Sequence, residues 1–223
     1  MDNKKRVGEI VKRLKKLYPD PHSCLLHSNP LELLVATILS AQSTDAHVNK
    51  VTAGLFRKYR SLEDYAKTPL PELQKDLSSV NFYNNKAKNI QNATKLILTE
   101  FGGNVPQSMA ELVRLPGVAR KTANIVLYDA FGKCEGVAVD THVTRLANRL
   151  GLTSFDDPVK IERDLMAVVA KKEWGRFAHM LVLHGRAVCP ARKPMHDKCV
   201  LRDICPSANK NQHSGMVNEM VVP

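Results

Sequence analysis

The sequence predicts an all-α fold, and three observations lead to this prediction. Apolar residues recur at helical spacing along most of the chain, no stretch alternates apolar and polar residues as a strand does, and capping residues precede the periodic stretches. With 223 residues, the chain is long enough for one large domain or two small ones. Hydrophobic residues make up 43% of it, which is enough to fill a core.

The N-terminal run is basic and amphipathic, with apolar residues on one stripe, and predicts a first helix. Asn29-Pro30 predicts the start of a helix over 31–42 that is apolar nearly all round and therefore buried. Thr44 or Asp45 begins the next helix. Two short helices are predicted to begin at Ser61 and at Thr68-Pro69. A longer helix runs from Asn84 to Phe101 and is ended by Gly102-Gly103. A short helix capped by Ser108 then ends at Leu115-Pro116-Gly117.

The second half continues in the same way. Asp140 begins a helix that Gly151 ends, Asp157-Pro158 begins another, and a last long helix runs from about Glu173 to Arg186. The tail from about Ser207 is polar and lacks periodicity, so we expect it to be loosely held.

The charge balance predicts a polyanionic partner. Lys and Arg outnumber Asp and Glu by 33 to 22, which gives a formal charge of +11. No segment approaches the roughly 18 consecutive apolar residues of a membrane span, and no uninterrupted apolar core follows the basic N-terminus as in a secretory signal. Five cysteines without such a signal indicate a reducing compartment. We therefore expect a cytoplasmic, nucleoid-associated protein that is neither secreted nor bound to a membrane.

The stretch from Leu115 to Ala123, LPGVARKTA, fits a helix–hairpin–helix motif. Gly117 allows the positive φ of a tight turn. The free N–H groups at the start of the second helix then point at an anion, for which a duplex phosphate is the natural ligand. Ala119 stands where such hairpins usually have a second glycine. Its methyl group is tolerable if φ is negative, although it restricts the approach of the phosphate.

Two residues near the hairpin predict chemistry. Lys121, beside Arg120 at the positive end of the second helix, is placed either to act as a nucleophile that forms a Schiff base or to bind phosphate. These residues alone leave both interpretations open. Asp140, in the sequence VDTH, is by default a helix cap. Facing a cleft, its carboxylate could also take a proton or stabilise positive charge on a sugar.

Five motifs in one order resemble the endonuclease III branch of the helix–hairpin–helix DNA glycosylase superfamily. They are LSAQSTD (39–45), NFYNNKAKNI (81–90), LPGVARKTAN (115–124), VAVDTH (137–142) and LHGRAVC (183–189). The resemblance implies a bifunctional enzyme that removes oxidised pyrimidines from double-stranded DNA and nicks abasic sites by β-elimination. Lys121 would be its nucleophile, and Asp140 would assist. The alternative is a non-catalytic, sequence-independent DNA-binding module.

The resemblance also implies how the DNA is held. Gln42 would fill the gap left by the extruded base, and Phe82 would be an apolar wedge where the family commonly has leucine. The competing interpretations are a polar residue at a helix end for Gln42 and core packing for Phe82. A monomer of two helical lobes is implied, 21–133 and 1–20 plus 134–223, with the DNA-binding cleft between them.

The C-terminal loop 189–205 departs from the family at one position. Cys189, Cys199 and Cys205 match three thiolates of the family's C-x6-C-x2-C-x5-C site, which holds a 4Fe–4S cluster, and His196 stands at the second position. Histidine can ligate cluster iron. A labile three-cysteine cluster, a zinc ion on Cys3His and an empty site are the alternatives. Basic residues between the ligands predict phosphate contacts; they are Arg192, Lys193, Lys198 and Arg202.

Overall fold

The computed structural model describes residues 3–210, and within that range every regular element is a helix, as the sequence predicts. The chain divides into two compact units. Residues 22–138 form one unit, and residues 3–21 together with 139–210 form the other.

The unit 22–138 contains seven α-helices. They are α2 (Pro30–Ser40), α3 (Asp45–Lys58), α4 (Leu62–Lys67), α5 (Leu70–Asp76), α6 (Tyr83–Glu100), α7 (Met109–Leu112) and α8 (Arg120–Phe131). The predicted buried helix is α2: the side chain of Asn29 accepts a hydrogen bond from the backbone N–H of Glu32, and every residue from 33 to 39 is buried. Helices α3, α6 and α8 pack against α2, so α2 runs through the core of this unit.

The second unit contains the remaining helices. They are α1 (Asn3–Leu17), α9 (Thr141–Arg149), α10 (Pro158–Val168), α11 (Trp174–Ala187) and α12 (Pro206–Lys210), with short 3-10 turns at Lys171–Glu173, His196–Lys198 and Arg202–Ile204. The predicted stripe of α1 packs on α10 and α11. Val7, Ile10 and Leu14 are buried, whereas Leu17 at the end of the stripe is 42% exposed.

The predicted helix starts and ends agree closely with the observed ones, but the prediction of a loose tail from Ser207 is wrong as far as residue 210. Residues 206–210 form α12 because the tail is held locally: the Ser207 hydroxyl donates to the Arg149 carbonyl at 2.9 Å, and Ala208 is buried. The rest of the tail, 211–223, lies outside the described residues. None of the described helices is both long and apolar enough to cross a membrane.

Candidate active site

The predicted hairpin is a tight turn between α7 and α8. The Val118 N–H donates to the Leu115 carbonyl at 3.1 Å across Pro116-Gly117, and Gly117 has φ of 80°. Proline second and a positive φ third are the signature of a type II turn. A Cβ on Gly117 would also lie 3.0 Å from the Asn89 side chain. Glycine is therefore required here both for the backbone angle and for the close approach of α6.

Helix α8 begins without a side-chain cap. Ala119 is the N-cap, with φ of −89° and ψ of 170°, and its side chain makes no capping hydrogen bond to the first turn. The negative φ meets the condition under which a methyl group is tolerable at this position. An anion can therefore take the place that a capping side chain occupies at other helices, and the helix dipole adds to the attraction.

Lys121 lies on the first turn of α8, next to the exposed Arg120. Its side chain is exposed, and among the described residues of its own unit none forms a hydrogen bond or an ion pair with it. The amine is therefore accessible from solvent. This is a requirement of the nucleophile interpretation, which a buried nitrogen would contradict.

Asp140 belongs to the other unit, where it caps α9. Its Oδ1 accepts a hydrogen bond from the Val143 N–H at 2.8 Å, and the side chain is half-buried. Within the described part of its unit, no hydrogen bond to Oδ2 is found. The cap holds the carboxylate in one orientation and leaves one oxygen for another partner. His142, on the first turn of the same helix, has Nδ1 3.1 Å from an Arg145 guanidinium nitrogen, consistent with a packing role.

Gln42 occupies a backbone conformation that usually belongs to glycine. Ala41 has φ of −56° and ψ of 118°, Gln42 has φ of 54°, and the Ser43 N–H donates to the Ser40 carbonyl at 3.0 Å. These are the features of a second type II turn, in which the third residue is normally glycine or asparagine. The Gln42 side chain is exposed. Gln42 follows the C-terminal end of α2, as the interpretation of a polar residue at a helix end requires.

Phe82 adopts the same unusual conformation. It is the N-cap of α6, with φ of 58° and ψ of 30°, and its side chain is 62% exposed. Core packing is therefore the wrong interpretation of this phenylalanine. Gln42 and Phe82 are the only non-glycine residues with positive φ in the described part of the chain. A left-handed conformation costs an L-residue about 1–2 kcal/mol.

The loops that carry Gln42 and Phe82 are joined by hydrogen bonds. The Asn81 Nδ2 donates to the Gln42 carbonyl at 2.8 Å, and the Lys86 ammonium donates to the carbonyls of Leu39 and Ala41. Burial lowers the pKa of Lys86. Lys86 and Asn81 were not predicted as site residues. The signal in the sequence is that Lys86 lies on the apolar stripe of α6, four residues before Ile90.

The four predicted metal ligands line one cavity of about 350 Å³ in the second unit. They are Cys189, His196, Cys199 and Cys205. No three His, Cys, Asp or Glu side chains in residues 3–210 converge closely enough to hold a single metal ion. The donors therefore surround a space rather than a point.

Other side chains stabilise the sulfur atoms of this cavity. An Arg149 guanidinium N–H donates to the Cys189 sulfur at 3.0 Å, and the His184 Nε2 lies 3.3 Å from the Cys199 sulfur. Burial lowers the pKa of His184 to about 4, so its ring is neutral at pH 7. Burial also raises the pKa of the Cys199 thiol. All four basic residues of the loop are exposed, and Arg202 pairs with Asp197.

An all-helical chain with a Pro-Gly hairpin, an uncapped second helix and an exposed lysine on its first turn has the features of a helix–hairpin–helix DNA glycosylase. Comparisons with known proteins agree. Residues 35–171 match the family model described as HhH-GPD superfamily base excision DNA repair protein.

Similar sequences and solved structures identify the branch of the helix–hairpin–helix DNA glycosylases to which the chain belongs. The chain is 53% identical to Endonuclease III of Synechocystis sp. (92% of this chain, 94% of the relative) and 45% identical to Endonuclease III of Bacillus subtilis (97% and 99%). A trapped endonuclease III–DNA covalent intermediate has a TM-score of 0.88 at 43% identity, covering 95% of this chain and all of that one. The chain belongs to the endonuclease III family. Its function is base excision DNA repair, and it is a DNA-binding glycosylase and abasic-site lyase.

Proposed function

We propose that Lys121 is the nucleophile of this enzyme and that Asp140 assists it. The observation that carries the proposal is the exposed Lys121 amine on the first turn of α8, with no partner among the described residues of its unit. The hairpin and the open helix start hold a backbone phosphate nearby. The Asp140 carboxylate, which its cap on α9 holds in one orientation, would assist the lysine.

The reaction follows from the chemistry of an amine at a sugar carbon. The Lys121 nitrogen attacks C1′, the bond from C1′ to the base breaks, and the base leaves with the electron pair and takes up a proton. Asp140 accepts a proton from the lysine nitrogen. The ring bond between C1′ and O4′ then breaks, O4′ takes up a proton, and C1′ and the lysine nitrogen form a Schiff base. The Schiff base makes the hydrogen on C2′ acidic; loss of that proton expels the 3′ phosphate, which cuts the strand, and water then releases the lysine.

The substrate we propose is an oxidised pyrimidine in double-stranded DNA, extruded from the stack towards Lys121. Extrusion costs a few kcal/mol and less for a damaged base, which contributes to selectivity. Gly117, Ala119 and Arg120 would hold the phosphate backbone. Gln42 would fill the gap in the stack, and the exposed Phe82 ring would insert between bases. The enzyme would act as a monomer on the DNA of the nucleoid.

The cysteine loop is proposed to hold a 4Fe–4S cluster through Cys189, His196, Cys199 and Cys205. A zinc ion needs its ligands within about 2.0–2.3 Å of one point, whereas these donors line a cavity of about 350 Å³. That is many times the roughly 30 Å³ of one water molecule. A bound cluster supplies one-electron exchange and folding energy. With a neutral imidazole in place of a thiolate, the ligand set would carry one negative charge fewer, which would change the reduction potential of a bound cluster.

The test of the catalytic proposal is a borohydride trap on DNA with one abasic site. Wild-type protein should form a covalent adduct, because borohydride reduces the Schiff base to a stable amine. Lys121→Gln should form none while still binding the DNA. Lys133→Gln is the matched control: it removes an exposed lysine just beyond the C-terminal end of α8 and should leave the adduct yield unchanged. An equal adduct yield in Lys121→Gln would refute the assignment.

A further inference from the structure

Lys86 is a buried ammonium group that the proposed chemistry does not use. It lies on the first turn of α6 and is 6% exposed. Its ammonium nitrogen is 2.8 Å from the Leu39 carbonyl, 2.5 Å from the Ala41 carbonyl and 3.3 Å from the Ser43 hydroxyl. A lysine ammonium has three N–H donors, so each donor has one oxygen.

These three oxygens surround Gln42. The last carbonyls of an α-helix have no partner within the helix and carry the negative end of its dipole. Lys86 donates to such a carbonyl at Leu39 and to the carbonyl of Ala41, immediately before Gln42. The carbonyl of Gln42 itself accepts a hydrogen bond from Asn81 at 2.8 Å. Hydrogen bonds therefore hold the strained turn on both sides of Gln42.

The same lysine also contacts the Phe82 loop. The Lys86 backbone N–H donates to the Phe82 carbonyl at 3.1 Å, which is the first hydrogen bond of α6. Lys86 thus contacts both the residues that flank Gln42 and the carbonyl of Phe82. A second connection joins the loops nearby, since the His47 Nε2 lies 2.9 Å from the Ser79 carbonyl.

Stability alone does not account for this arrangement. A left-handed L-residue is strained and persists only where the surroundings fix it. Lys86 also occupies a stripe position that an apolar side chain would fill without the cost of burying a charge. Two strained residues and one buried charge meet at a single place, and the two strained side chains are both exposed.

We propose that Lys86, together with Asn81, is a positioning residue that holds Gln42 and Phe82 at a fixed separation, so that they enter the DNA stack as one rigid unit. This inference rests on the roles proposed above for Gln42 and Phe82. It assigns to Lys86 no contact with the substrate. Its effect is expected where a base pair must be opened and is small where no base is present.

The test compares two substrates in single-turnover experiments. One is a duplex with a paired oxidised pyrimidine, whose excision requires opening, and the other carries an abasic site, whose cleavage does not. The measured quantity is the ratio of the rate constant on the paired oxidised pyrimidine to the rate constant on the abasic site. Lys86→Met should lower this ratio by about tenfold or more, because small misplacements of positioning groups are costly. Lys95→Met is the matched control, since it removes an exposed lysine from the same helix far from both loops, and the ratio should not change.

A double-mutant cycle separates positioning from general damage to the fold. In a background that carries Gln42→Ala and Phe82→Ala, Lys86→Met should no longer change the ratio, because the groups that it positions are absent. The inference is overturned if Lys86→Met slows both substrates equally, or if its effect on the ratio persists in that background.

Three further outcomes are distinguishable. If Lys86→Met does not fold, Asn81→Ala removes only the bond to the Gln42 carbonyl and should lower the ratio in the same direction; an unchanged ratio would overturn the inference. If the wild-type protein gives the borohydride adduct but the ratio is insensitive to Lys86, the positioning role fails and the catalytic proposal stands. If the adduct is absent, the catalytic proposal fails first.

Discussion

The turn at Gln42 predicts a substitution that stabilises the fold and impairs repair. Gln42→Gly removes a left-handed L-residue, which gains about 1–2 kcal/mol. The greater freedom of glycine in the unfolded chain costs about 0.5–1 kcal/mol. The Gln42 side chain is exposed, so little buried area is lost. The midpoints of these two ranges leave an expected net gain of about 0.75 kcal/mol in the free energy of unfolding.

Urea unfolding and thermal melts measure this gain directly, and the expected rise in Tm is about 1–4 °C for a chain of this size. Gln74→Gly is the matched control, because Gln74 lies inside helix α5 and the same substitution should cost about 1 kcal/mol there. Excision of a paired oxidised base should fall in Gln42→Gly, since no side chain fills the gap, while cleavage at an abasic site is largely retained. A Gln42→Gly protein as destabilised as Gln74→Gly would refute the reasoning.

Three further predictions concern the turn at Gly117, the cysteine loop and the cap of helix α4. Gly117→Ala should destabilise the protein more than Gly102→Ala in urea unfolding: both positions have positive φ, but only the Gly117 methyl would meet a neighbour, Asn89. Equal losses would contradict the close contact. His196→Ala should lose the brown colour and the iron of the purified protein, and His196→Cys should keep both; a colourless wild-type protein containing zinc would refute the cluster. The backbone N–H groups of Arg60 and Ser61 lower the pKa of Asp64, so its stabilising effect is present at neutral pH and is lost as the pH falls through that lowered pKa. The stability difference between wild type and Asp64→Asn should therefore shrink in acid, and a difference independent of pH would contradict this.

Local signals made most helices predictable from the sequence. Asn29, Ser61 and Asp140 are capping residues whose side chains accept hydrogen bonds from N–H groups within the next turn, so their effect does not depend on distant residues. The hairpin was equally clear, because Pro116-Gly117 fits only a few turn types.

The left-handed residues and the buried lysine depend on contacts between residues distant in sequence, so local signals do not predict them. Nothing local predicts positive φ at Gln42 or Phe82, since propensity favours glycine at such positions. Lys86 lies 43 to 47 positions along the chain from the three residues near Gln42 whose oxygens it contacts, and these contacts become visible only when α2 and α6 pack together. The helix after Cys205 was missed because its anchor is the Arg149 carbonyl of another helix.

The most direct test of the central claim is to locate the covalent bond itself. Protein reduced with borohydride on abasic-site DNA is digested with nuclease and protease, and the peptides are sequenced by mass spectrometry. The sugar remnant should be found on Lys121, the amine at the open start of α8. A remnant on another lysine or on the N-terminal amine, with Lys121 unmodified, would contradict the account.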